Sequence, residues 1–260
     1  MLYLLSPAKS LDYDTPVPKR IAALATEPPF PQRSAELINV LRNKSAAQVA
    51  GLMDLSSALA QLNVARYQAW SPDATPANSR PAAFAFNGDV YGGLQAPTLS
   101  LADLRWAQQH IAILSGLYGV LRPLDRLQPH RLEMGTTLAT ASGKDLYAFW
   151  GDSVAEHLNA RLEADASPVV INLASQEYFR AVRQPVLRAR VIDCVFEDWK
   201  GDRYKVISFF AKRARGLMAR HAIAKRVRTP AGLKKFCTEG YAFAAAASAP
   251  DRFVFRRRVA

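Results

Sequence analysis

The apolar positions of this chain fall into two spacings. Unbroken apolar runs at 2–5 (LYLL), 111–114 (IAIL) and 169–171 (VVI) have the length and side-chain types of strands buried on both faces, and Ala82–Phe86 (AAFAF) reads the same way. Elsewhere the apolar residues recur every three or four positions, as Leu37, Ile38, Val40 and Leu41, then Val49, Leu52 and Met53, then Leu59, Leu62 and Ala65. That spacing predicts helices between Gln32 and Trp70, with Ser45 as an N-cap and a tight turn at Asp54-Leu55-Ser56. Further helices are predicted over Leu101–His110, capped by Ser100, over Leu146–Glu163, and over 211–228. Val191–Glu197 and Tyr204–Phe209 flank Lys200-Gly201 and predict a β-hairpin, and Arg252–Val259 predicts an edge strand. Prolines at 16, 18, 28, 29 and 31 make 15–31 an irregular connection. Strands alternating with helices, and no linker-like stretch, predict an α/β fold. The same pattern predicts a single compact domain over residues 1–260, with a mixed sheet flanked by helices.

Five strand candidates run directly into a polar or glycine-bearing motif. LYLL leads to SPAKSLD, AAFAF to NGDVYGG, IAIL to SGLYG, VVIN to LASQEY, and KVISF to FAKRARG. In an α/β protein such motifs converge at the carboxyl edge of the sheet, so these residues should share one crevice. The inventory offers Lys9, Arg122, Arg131, Lys212 and Arg215 as anion binders, and Tyr91, Tyr118 and Tyr178 as rings on which a base could stack. Glu133 and Asp89 are the candidate acid–base groups, with Asp12 and Glu177 nearby in sequence. The densest stretch is His110–Gly135, where Arg122, Asp125, Arg126, Arg131 and Glu133 sit among Pro123 and Pro129, and it reads as the rim of a site. A solvated surface loop has the same composition, and a surface pairing of Lys9 with Asp12 is equally open.

Half of the residues are apolar, enough for a sizeable core, and neither MLYLL nor the alanine-rich 242–249 is long enough to span a bilayer. A cytoplasmic protein with no membrane partner is expected. Cys194 and Cys237 stand apart and the four histidines are scattered, so no metal site is drawn. No phosphate-loop or dinucleotide signature is present, and no cofactor is expected. Charge is more telling: the net +12 is not uniform, because the residues from Phe179 onward hold 20 Lys and Arg against 6 Asp and Glu. An excess so localised favours a polyanion, most often nucleic acid; a solvated basic surface is the alternative.

SPAKSLD at 6–12, FNGDVYGGL at 86–94, LSGLYGVLRPLDRLQPHRLEMG at 114–135, KDLYAFWGD at 144–152, NLASQEYF at 172–179 and SFFAKRARGLMAR at 208–220 together resemble the YaaA family of peroxide-stress proteins. The likeness spans almost the whole chain and departs at His130, where the family usually has tyrosine. It implies a cytoplasmic bacterial protein that limits damage from iron and hydrogen peroxide. It also implies an α/β fold of unusual topology with a helix-hairpin-helix element and a basic cleft, and binding to double-stranded or distorted DNA. The hairpin is placed at Ser45–Tyr67, with Ser115–Gly119 as a second candidate; an αα-hairpin that only packs gives the same pattern. No reaction comes with the resemblance. Two readings follow, a DNA-binding protective protein and an enzyme acting on a nucleotide or damaged nucleobase in the basic cleft.

Overall fold

A computed structural model describes residues 1–258, and Val259, the last residue of the expected C-terminal strand, lies outside the described residues. The chain folds around one mixed sheet of eight strands: β1 (Leu2–Leu5), β2 (Ile111–Ser115), β3 (Gly119–Leu121), β4 (Val169–Leu173), β5 (Arg190–Lys200), β6 (Arg203–Lys205), β7 (Ala242–Phe243) and β8 (Arg252–Arg257). Their spatial order is β7-β8-β5-β4-β1-β2-β3, with β6 paired to the far end of β5. The five central strands run parallel, and β3, β6 and β7 are antiparallel additions. Every residue of β1, β2 and β4 is buried, because helices cover both faces of the sheet there.

The helices that frame this sheet are α1 (Pro31–Arg42), α2 (Ala46–Met53), α3 (Ser57–Ala69), α4 (Asp89–Leu94), α5 (Leu101–His110), α6 (Leu146–Trp150), α7 (Ser153–Leu162) and α8 (Ser208–Lys225). Ser45 caps α2 in a reciprocal box with Gln48, and Ser100 caps α5 in the same way with Asp103, as their positions in the sequence predict. Within α3, Ala60, Asn63 and Tyr67 face the core, whereas Leu59 and Leu62 point outward. The α2–α3 pair is an αα-hairpin at the expected place, Ser45–Tyr67, with Arg66 the one basic residue of that stretch.

Four expectations give way to the structure. Ala82–Ala85 is a helical turn rather than a strand, in keeping with the helix propensity of alanine, and only Phe86–Asn87 is extended, pairing with Ser10–Leu11. The expected single helix over Leu146–Glu163 breaks at Gly151, whose φ of 50° and ψ of −126° exclude a residue with a Cβ. The second arm of the hairpin stops at Lys205, and Ser208 and Phe209 already belong to α8. Arg252–Arg257 is not at the edge, since it lies between β5 and the two-residue β7.

The glycines of NGDVYGG and KRARG prove to have a packing purpose. A methyl group on Gly216 of α8 would sit 1.8 Å from the Val90 carbonyl oxygen, and one on Gly93 of α4 would sit 2.3 Å from the Arg213 carbonyl oxygen. The two helices therefore cross with their backbones touching. Arg220 fastens the crossing by donating to the Leu94 and Gln95 carbonyls at the end of α4, where a cation also suits the helix dipole. Gly216→Ala should lower stability by about 3 kcal/mol, since backbone cannot yield as a side chain does. Gly51→Ala, in the open on α2, should raise it by about 0.5–1 kcal/mol. Urea denaturation of the two variants beside the native chain checks both signs.

Candidate functional site

Strands β1 and β4 are neighbours whose chain connections leave in opposite directions, β1 towards β2 and β4 towards β5. In an open α/β sheet a crevice opens at the carboxyl ends of such a pair. A cavity of about 350 Å³ lies there, walled by residues 6–10 after β1, Ser175, Glu177 and Tyr178 after β4, Asn87–Val90, and Lys212 and Arg215 of α8. The two loops are tied together: the Ser175 backbone N–H donates to Ser6 Oγ at 2.8 Å. Tyr91 ties in α4, its hydroxyl donating to the Ser6 carbonyl at 3.1 Å.

Four of the five motifs thus reach one cavity or its margin by their strand ends, and the fifth arrives along a helix. Of the expected anion binders, Lys9, Lys212 and Arg215 line the cavity. Arg131 stands on a narrower cleft that continues from it past Pro7, Lys9 and Tyr178. There Glu133 is held between two cations, with Arg131 Nη2 at 2.9 Å from one oxygen and Lys9 Nζ at 2.7 Å from the other. Lys9 pairs with Glu133 and not with Asp12, which instead accepts the backbone N–H groups of Asp14 and Thr15. Asp89 lines the main cavity from the first turn of α4.

Arg122 is elsewhere. It pairs with the fully buried Asp125, whose carboxylate also accepts from Thr26 Oγ1 and the Arg122 backbone N–H, so this arginine pins the 122–126 loop and is absent from the cavity walls. Two of the three stacking candidates are also spent on the core. Tyr118 accepts from Trp70 Nε1 and the Gln128 N–H, and Tyr91 is packed on Phe86 with its ring centroid 5.1 Å away. Burial raises the pKa of both phenols, Tyr118 to about 12, because ionisation inside the core is unfavourable. Tyr178 alone borders the cavities; burial, then the neighbouring Glu177 and Glu133, keeps its hydroxyl protonated.

Sequence reasoning passed over Ser175 and Asn87, although each lies inside a motif just past an apolar run. Lys212 and Arg215, the two residues of their helix that the sequence singles out, do line the cavity. Arg215 Nε is buried without a hydrogen-bond partner, and neither Arg215 nor Lys212 forms an ion pair among the described residues. Burial pulls the Arg215 pKa down from its ordinary value, the mark of a charge withdrawn from water with no anion beside it. A guanidinium placed so keeps a buried N–H donor without an acceptor. Among the described residues no three His, Cys, Asp or Glu side chains gather in a metal-binding group, and the two cysteines are free, Cys194 buried and Cys237 exposed.

An α/β protein with a cation-lined pocket at the switch point of its sheet is the class that fold and site define. The family model for peroxide stress protein YaaA matches residues 1–247. The chain is 67% identical over 258 residues to a UPF0246 protein of Paracidovorax citrulli, covering 99% of each. It is 64% identical to a UPF0246 protein of Variovorax paradoxus, again covering 99% of each, and 64% identical to one of Leptothrix cholodnii, covering all of each. The chain belongs to the YaaA (UPF0246) family of peroxide stress proteins. Among the described residues no helix is long and apolar enough to cross a membrane.

His130 is buried beside the cleft, edge-on to Tyr118 with centroids 5.3 Å apart and Nδ1 at 2.9 Å from the Gln128 carbonyl. Burial pushes its pKa down to about 4, and burial with nearby Arg161 and Arg122 does the same to His157 on α7. Both pKa values are lower folded than unfolded, so the unfolded chain binds more protons between about 4 and 6.5. Stability is then fully present above about pH 6.5 and is lost as pH falls towards 4. Thermal melts across that window should show this decline, and His130→Gln should flatten it by roughly one proton's share.

Proposed function

We propose that this peroxide stress protein is a cytoplasmic DNA-binding protein that takes hold of double-stranded or distorted DNA through the pocket between β1 and β4, and in doing so limits iron- and hydrogen-peroxide-dependent damage. The observation that carries the reading is Arg215, half-buried in the pocket wall with its Nε buried and no carboxylate paired to it, and Lys212 one helical turn away in the same wall. Phosphate oxygens supply the acceptors this guanidinium lacks, and Lys9 at the mouth adds a third cation. The net charge of +12 draws the polyanion to the surface, and the pocket fixes where one phosphate rests.

A second reading, an enzyme acting on a nucleotide or damaged nucleobase, draws on a specific feature. At about 350 Å³ the cavity matches a single nucleotide rather than the width of a duplex, and Asp89 and the doubly clamped Glu133 border it and its side cleft. Glu133, ion-paired to both Arg131 and Lys9, is the carboxylate through which such a reaction would run.

Binding of labelled duplex and bubbled DNA across a salt series tests the first reading. Lys212→Ala combined with Arg215→Ala should weaken binding and make the salt slope shallower by about one unit for each phosphate no longer neutralised, with the melting curve retained. Affinity that ignores salt, or a double variant that binds like the native chain, would remove the pocket from DNA binding. Glu133→Gln separates the two readings. If the protein only binds, affinity holds or rises as two cations are released, and peroxide protection survives. Loss of protection at retained affinity establishes chemistry at Glu133.

A further inference from the structure

A second cavity, of about 740 Å³, lies at the far end of α8 and shares no residue with the pocket between β1 and β4. It is walled by the last turn of that helix, by residues 226–229 and the helical turn Pro230–Leu233 that follow, and by Lys235, Cys237 and Thr238. The run of α8 from Lys212 to Lys225 is about 20 Å long, so the two cavities are separate. The wall is fixed from several sides. Tyr3 of β1 donates to the Val227 carbonyl at 2.9 Å, and Gly232 packs so closely that a methyl group there would sit 2.7 Å from Val227 Cγ1. The carbonyls that end α8 are occupied within the chain, Ala222's by the Arg226 and Val227 N–H groups and Ile223's by the Arg226 N–H and guanidinium.

Charge distinguishes this cavity. Lys225, Arg226, Arg228 and Lys235 line it, and no aspartate or glutamate does. The pocket between β1 and β4, by contrast, sets Asp89 and Glu177 against its cations. Arg226 is spent on Asp103 at 2.7 Å, whereas Lys225, Arg228 and Lys235 form no ion pair among the described residues. Three unpaired cations around one concavity repel one another, and an anion of several charges relieves that repulsion more fully than a single charge can. His221 adds a hydrogen-bonding group. Its Nε2 is buried without a partner, and its ring lies edge-on to Phe236 with centroids 5.5 Å apart. Burial, then Lys225, lowers its pKa, so it stands in the wall as a neutral imidazole.

From this geometry we infer that the cavity holds a small organic polyphosphate, a nucleoside di- or triphosphate in size and charge. The volume exceeds what a phosphate chain fills and lies in the range of small-molecule sites. Lys225, Arg228 and Lys235 meet the phosphates, while Val227 and the His221 ring face the nucleoside, with Nε2 free to share one hydrogen bond with it. A duplex is too wide to enter a cavity of this volume, so the ligand is a free molecule and the site is independent of any nucleic acid held at the sheet edge.

Cys237 gives a local readout, because it lines the cavity and is exposed while the other cysteine, Cys194, is buried. The rate at which iodoacetamide alkylates the native chain, followed by intact mass, is measured with and without ATP, ADP, adenosine, inorganic triphosphate or a short DNA duplex at equal phosphate. ATP should slow alkylation about tenfold, ADP and triphosphate less, and adenosine and the duplex should leave it unchanged. Arg228→Ala combined with Lys235→Ala should remove most of the ATP protection, expressed as a ratio within each variant. Lys200→Ala combined with Arg203→Ala, the same loss of charge at the β5–β6 turn, should keep it. All four side chains are exposed, so thermal melts of both variants should match the native chain. Absence of protection by ATP, protection that survives the loss of Arg228 and Lys235, equal loss in the Lys200 and Arg203 variant, or equal protection by the duplex would overturn the inference. Triphosphate protecting as well as ATP would overturn the part given to the nucleoside.

Discussion

The contact between Gly93 and Gly216 is what the rest of the site depends on. With a side chain at either position, α4 and α8 would stand apart by more than an ångström, since a Cβ on Gly216 meets backbone at 1.8 Å. Their close crossing sets Asp89, at the start of α4, across the cavity from Lys212 and Arg215 on α8. It also sets the height of the Ser6 loop, through the Tyr91 hydroxyl on one side and the pairing of Phe86–Asn87 with Ser10–Leu11 on the other. One backbone contact thus brings together segments separated by more than a hundred residues in the chain.

Bulk charge gives a coarse view of the C-terminal third. Much of its excess is engaged within the protein: Arg213 is bound to Glu239, Arg226 to Asp103, Arg256 to Glu197, and Arg257 to Asp198. Arg220 is committed to the backbone at the end of α4. Paired cations on the surface contribute little to stability and little net field, so the electrostatic character of the site is set by the few that are left over. Lys212 and Arg215 are of that kind. Counting charges along the sequence weighs all of these residues equally, and only the folded partners separate them.

The parts of the fold readable from sequence are those where one local rule decides. Residues 2–5, 111–114 and 169–171 are continuous apolar runs and form the buried centre of the sheet, and Ser45 and Ser100 cap helices because their hydroxyls meet free N–H groups whatever lies beyond. The errors fall where tertiary contact overrules the local signal. Alanines 82, 83 and 85 are compatible with strand or helix, and the glycines of 88–93 imitate a turn while serving a helix crossing. Convergence of the motifs was readable because topology sends strand ends to one edge. Which side chains face the cavity was not: Tyr91, Tyr118 and Arg122 lie in the same motifs as the residues that do, and their direction is set by Ser6 and Trp70, remote in the sequence, and by the buried Asp125, whose burial only the fold decides.

The arrangement of charge within the site has a direction. Arg215 is withdrawn into the wall, Lys212 lies a turn nearer the helix start, and Lys9 sits at the exposed mouth, where it is already shared with Glu133. Two acidic groups are partly satisfied: Glu177 accepts the Gly135 N–H at 3.0 Å, and Glu133 is held by two cations. The cavity lining thus sets Lys9, Lys212 and Arg215 against Asp89 and Glu177, and with Lys9 already shared with Glu133 the site is closer to balanced charge than the C-terminal third from which Lys212 and Arg215 come.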